Sequence, residues 1–92
     1  MYVVVAYDIA DDRRRARLAK KLIDFLPRVQ MSVFEGELPE NRLPRLRQVL
    51  EDAIDPGEDS VRIYQLCRRC RRNVLEIGNG TLPSDGSSDE VV

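Results

Sequence analysis

The 92-residue chain contains no histidine at all. A hydrolytic enzyme without imidazole has to make its nucleophile another way, and a divalent metal that acidifies water is the usual one. The chain has two cysteines, Cys67 and Cys70, too few for a four-ligand zinc site within one chain. Two copies could pool four thiolates only if they met at that point. No apolar run approaches the ~18–20 residues that a membrane-spanning helix needs, so no membrane partner is expected. No basic leader is visible, because Met1-Tyr2 runs straight into apolar sequence, and the expected location is cytoplasmic.

What is present describes a small folded domain. The apolar share of 42% supports a core, and the charged share of 34% supports solubility. A chain of this size leaves much of its surface wet, so a second copy would add core. The net charge of −1 looks unpromising for nucleic acid, but its distribution matters more. Residues 13–21 carry Arg13, Arg14, Arg15, Arg17, Lys20 and Lys21 with no acid among them. Residues 62–72 carry Arg62, Arg68, Arg69, Arg71 and Arg72, again without an acid. Thirteen of the fifteen basic residues are arginine. That bias fits either a phosphate-gripping surface or a GC-rich genome.

Hydrophobic periodicity predicts an α+β domain. Val3-Val4-Val5-Ala6-Tyr7 is a buried-strand pattern that stops on Asp8. Asp11 or Asp12 can N-cap a helix that runs to about Leu26 and ends before Pro27. Its apolar stripe is Leu18, Ala19, Leu22, Phe25 and Leu26. Residues 28–38 are extended, with a break near Ser32 or Gly36 that the pattern leaves open. Residues 41–54 form a second amphipathic helix, with Leu43, Leu46, Leu50, Ala53 and Ile54 inward and Pro44 near its start. Residues 60–67 alternate as a strand, with Val61, Ile63 and Gln65 on one face and Arg62, Tyr64 and Leu66 on the other. Residues 74–77 read as a short last strand. Residues 79–92 have too few apolar side chains to fold and read as a disordered acidic tail.

This order gives a βαββαβ sandwich of the ferredoxin-like kind, with two helices on one face of an antiparallel sheet. The other face needs a cover. The simplest cover is a second copy, which makes a homodimer.

Two features carry chemistry. Asp8 stands at the carboxyl end of a strand, where it either caps the following turn or meets a metal or phosphate. Arg13, Arg14 and Arg15 occupy the first helical turn, where the helix dipole disfavours each cation by ~0.3–1 kcal/mol. A bound anion would explain their presence; solvation and screening would excuse it. Cys67-Arg68-Arg69-Cys70 reads as a loop with incidental thiols inside a phosphate-contacting cluster of Arg68, Arg69 and Arg71.

Three segments then coincide: Tyr7-Asp8-Ile9, Gln30-Met31-Ser32-Val33-Phe34-Glu35 and Asp59-Ser60-Val61-Arg62-Ile63-Tyr64. In this order and spacing they resemble the CRISPR-associated Cas2 family, small ferredoxin-like adaptation proteins that partner the CRISPR integrase. The resemblance covers residues 1–78.

It implies a homodimer within an integrase complex that holds double-stranded DNA for insertion into a CRISPR array. It also implies a metal-dependent endonuclease, acting on single-stranded RNA or on DNA with Mg²⁺ or Mn²⁺. Asp8 matches the family's metal ligand, and two copies of Asp8 would face each other across the dimer axis. Positions implicated in cleavage match Arg15, Arg17, Arg28 and Phe34. The nucleic-acid surface would comprise Arg13, Arg14, Arg17, Arg68, Arg69 and Arg71. The last strand, residues 74–78, would add to the partner's sheet. A different class of function, a small ligand-binding regulator without nuclease activity, remains the alternative.

Overall fold

The computed structural model describes residues 1–78. The expected acidic tail, 79–92, lies outside them. The central strand β1 spans Tyr2–Asp8. It pairs antiparallel with β3, Val33–Glu37, on one side and with β4, Ser60–Leu66, on the other. The short strand β2, Arg28–Gln30, extends the sheet beyond β3, giving the order β2-β3-β1-β4. Helices α1, Asp12–Leu22, and α2, Leu43–Ala53, cover one sheet face. This is the split βαβ arrangement expected from the hydrophobic pattern.

Alternation along β1 builds the core. Val3, Val5 and Tyr7 point to the helices and are buried with Ile9, Leu18, Leu22, Leu26, Phe34, Leu46 and Leu50. Val49 joins them, although the helical pattern had not placed it inward. Val61 and Ile63 pack on the same side from β4. Helix α1 stops four residues before the expected end. Phe25 N–H then turns back to the Leu22 carbonyl at 2.9 Å, a 3-10 tightening before Pro27. The extended region breaks at Met31-Ser32, between β2 and β3. Gly36 stays inside β3 for a different reason: a Cβ there would lie 3.0 Å from Pro27 Cδ, so any other residue would push the post-helix loop away from the strand.

One expectation changes, and another concerns a partner that the single chain does not include. Residues 67–72 are not a loop, because Cys67 caps a short helix α3, Arg68–Arg72. Residues 74–77 form no strand within the single chain. A strand needs a ladder partner, and here Leu75 and Ile77 stand 84% and 89% exposed. No helix of the described residues is long and apolar enough to cross a membrane.

The sheet face opposite the helices is open in one chain. Val4, Ala6, Val33 and Leu66 are only half-buried there, and Tyr64 is exposed.

Candidate functional site

Asp8 is the last residue of β1, and alternation from Tyr2, Val4 and Ala6 puts it on the open face. It is exposed, and its side chain has no hydrogen bond or ion pair among the described residues. The capping role falls to Asp11 instead, whose Oδ2 accepts the Arg14 N–H at 2.8 Å. The Asp8 carboxylate is therefore left to solvent at the carboxyl end of the central strand.

The turn behind it is held by an acid on β4's threshold. Asp59 has a fully buried side chain and accepts four hydrogen bonds. Arg14 donates from Nε at 2.6 Å and from Nη2 at 3.1 Å. The backbone N–H groups of Ala10 and Asp55 add bonds of 3.1 and 2.8 Å. The Arg14 guanidinium, followed by these N–H groups, holds the Asp59 carboxyl far below the usual carboxylate range against the opposing effect of burial. Arg14 is thus committed to the fold, which corrects its placement on the nucleic-acid surface. The motif beginning at Asp59 was visible in the sequence; its partner was not, since they lie 45 residues apart.

The remaining arginines divide in the same way. Arg15 donates to the Ile9 carbonyl at 2.8 Å and pairs with Asp12, closing the β1–α1 turn. Arg28 donates twice to the Met31 carbonyl, at 3.1 and 2.6 Å, and closes the β2–β3 turn. That turn is tied to β1 where Tyr7 N–H meets the Ser32 carbonyl at 3.1 Å, one residue before Asp8. Arg71 lies 4.0 Å above the Tyr2 ring and pairs with Glu37 at 3.1 Å, so it fastens α3 to the open face and is not a surface cation. Beneath it the Tyr2 hydroxyl donates to Glu35 at 2.7 Å; burial, then that carboxylate, pushes its pKa well above the ordinary tyrosine value. Arg13, Arg17, Arg68 and Arg69 are exposed.

Phe34 is fully buried and stacks on Tyr7 with ring centroids 6.2 Å apart. It is part of the core and offers no exposed ring face to a base, whereas the sequence reading placed it among the residues of cleavage. At α3, Cys67 Sγ accepts the Cys70 N–H at 3.4 Å, which lowers the Cys67 thiol pKa, while the neighbouring Cys67 raises that of Cys70.

Among the described residues, no group of three or more His, Cys, Asp or Glu side chains could hold a metal. One chain offers the Asp8 carboxylate, an exposed oxygen donor without a competing partner. Mg²⁺ is commonly held by one or two carboxylates with water and substrate oxygens completing the shell, so this donor set fits Mg²⁺ or Mn²⁺, with a second Asp8 from a second copy. The residue missed by sequence reasoning is Ser60, which the β1–β4 register sets directly opposite Asp8. Only the strand pairing reveals that neighbour.

The family described as CRISPR associated protein Cas2 matches residues 1–74. The CRISPR-associated endoribonuclease Cas2 3 of Chloroflexus aurantiacus is 39% identical over 85 residues, 92% of this chain and 91% of that protein. The crystal structure of Streptococcus pyogenes Cas2 at pH 6.5 superposes with a TM-score of 0.75 at 32% identity, covering 85% of this chain and 100% of that one. A chain of a partial Cas6-RT-Cas1–Cas2 complex gives a TM-score of 0.69 at 28% identity, covering 83% of this chain and 89% of that one.

Proposed function

The chain belongs to the CRISPR-associated Cas2 family, and from that premise we propose that it acts in CRISPR adaptation as a homodimer that binds a Cas1-type integrase subunit and double-stranded DNA, and that it cleaves RNA or DNA phosphodiesters with Mg²⁺ or Mn²⁺ at Asp8. The observation that carries the cleavage reading is the Asp8 carboxylate itself, exposed at the carboxyl end of the central strand and without a partner among the described residues. The relative named an endoribonuclease supports it, and the chain from a complex containing Cas1 and Cas2 supports the integrase partner.

The half-buried apolar residues of the open face support the dimer, because a second sheet would remove them from water. A divalent cation, when bound, supplies water activation and neutralises charge on the scissile phosphate. The chain's own residues hold and position. Asp8 anchors the cation. Arg15 and Arg28 fix the two turns that flank Asp8, so their contribution is geometric. Arg13 and Arg17, on the outer face of α1, and Arg68 and Arg69, on α3, meet the sugar-phosphate backbone, which positions a polynucleotide without reading its sequence.

The test is cleavage of single-stranded RNA and duplex DNA at low salt by wild type and Asp8→Asn, with Mg²⁺, with Mn²⁺ and with chelator. Loss of cleavage in Asp8→Asn and with chelator, at an unchanged melting temperature, is expected. Equal cleavage by both proteins assigns the activity elsewhere. Absence of both cleavage and nucleic-acid binding in wild type supports the ligand-binding regulator.

A further inference from the structure

Asp8 is not the only oxygen donor at its end of the sheet. In the antiparallel β1–β4 ladder, Tyr7 opposes Val61 and Asp8 opposes Ser60. Directly opposed residues of an antiparallel pair share a face, with Cβ atoms roughly 4.5–5.5 Å apart. Val61 packs on the helix side against the core. Ser60 therefore shares the open face with Asp8, and it is exposed. Its hydroxyl, like the Asp8 carboxylate, has no hydrogen-bond partner among the described residues. Arg62, two residues along the same face, turns its Nη1 to the Tyr64 hydroxyl at 3.3 Å and leaves this corner uncovered.

The preceding residue shows why the corner is fixed. Asp59 points the opposite way, into the fold, and its oxygens hold Ala10 N–H and the Arg14 fork. Those bonds fasten the residue just before β4 to the turn that leaves β1 and to the start of α1. The dipeptide Asp59-Ser60 is split by strand alternation. One side chain locks the two strand ends together, and the other presents a hydroxyl beside the carboxylate that they carry.

We propose that Ser60 completes the Asp8 site, its hydroxyl serving as the second oxygen donor that each chain gives to a divalent cation. This rests on the reading of Asp8 as a cation ligand. It makes the site a carboxylate–hydroxyl pair per chain, held at a separation set by the ladder and not by a flexible loop. A neutral hydroxyl also suits the chemistry, since it adds a hard oxygen without adding repulsion between carboxylates when two copies meet.

The experiment is titration of the full chain with Mn²⁺ alone, read by electron paramagnetic resonance, for wild type, Ser60→Ala, Ser60→Thr and Asp8→Asn, with thermal melts of each. Ser60 is exposed in a strand, so both of its variants should fold. Ser60→Ala is expected to weaken Mn²⁺ binding about tenfold, the lower end for loss of a supporting group at a metal site, with melting unchanged. Ser60→Thr keeps the hydroxyl and is expected to bind as wild type. If Ser60→Ala binds Mn²⁺ like wild type while Asp8→Asn does not, the inference about Ser60 is overturned and Asp8 stands. If Asp8→Asn also binds like wild type, the reading of Asp8 falls, and this inference falls with it.

Discussion

Arg14 and Asp59, 45 residues apart in the chain, meet in a two-point fork of 2.6 and 3.1 Å whose carboxylate is fully buried. The same carboxylate receives the Ala10 and Asp55 N–H groups. The start of α1, the end of the β1 turn and the approach to β4 are thus joined at one residue. An arginine in a first helical turn, unfavourable by itself, becomes favourable because a buried acid receives it.

This join fixes a pH dependence. The folded Asp59 pKa lies below its unfolded value of about 3.9, because Arg14 and two N–H groups stabilise the charged form. Its contribution is complete above pH ~4 and is lost as pH falls through the folded value. Asp59→Asn should lower the melting temperature at pH 7 by roughly 10 °C, since removing one partner leaves a guanidinium poorly paired. The gap between Asp59→Asn and wild type should narrow as pH is lowered from 4 to 2. A gap independent of pH over that range contradicts the assignment. Thermal melts at matched ionic strength make the measurement.

The arginines should separate into two groups. Arg13→Gln and Arg17→Gln remove exposed cations, so each should weaken duplex DNA binding and flatten the slope of log K against log salt by up to about 0.9. Their stability should be close to wild type. Arg14→Gln and Arg71→Gln should do the reverse, lowering the melting temperature with little change in slope, because both guanidiniums are spent within the fold. Arg69→Gln belongs with the first group. Fluorescence anisotropy across a salt series distinguishes them.

Phe34 should behave as core. Phe34→Ala removes a fully buried ring and should destabilise by about 3–5 kcal/mol. Phe34→Leu should destabilise far less while leaving single-stranded RNA affinity unchanged. Denaturant unfolding and RNA binding on the same samples decide the matter. A loss of affinity by Phe34→Leu, with stability retained, would place the ring against a base after all.

Much of the fold was legible because it depends on periodicity. The continuous apolar run Val3-Val4-Val5 and the helical stripe Leu18–Leu22–Leu26 mark the elements that build the core, and the structure buries Val3, Val5, Leu18, Leu22 and Leu26 while leaving Val4 half-buried on the open face. Pro44 marked the start of α2 through local sterics alone, whereas α1 ended four residues before the boundary expected from Pro27. The break at Met31-Ser32 was less legible. Gly36 looked an equally good interruption, and its actual reason, the Pro27 ring against β3, is a tertiary contact. Residues 67–72 were misjudged because a cysteine is an uncommon cap. Residues 74–77 carry strand-like sequence, but the ladder partner such a sequence needs is absent from the single chain described.

The sequence by itself determined the layer architecture, the strand that ends on Asp8 and the family, since hydrophobic period and motif order are properties of neighbouring residues. Tertiary structure alone decided which arginines remain cations for a ligand. Arg14 and Arg17 are chemically identical and three positions apart on one helix, yet only Arg14 meets Asp59. Whether a charge is available depends on what chain folding brings within about 3 Å of it, and no local pattern encodes that distance.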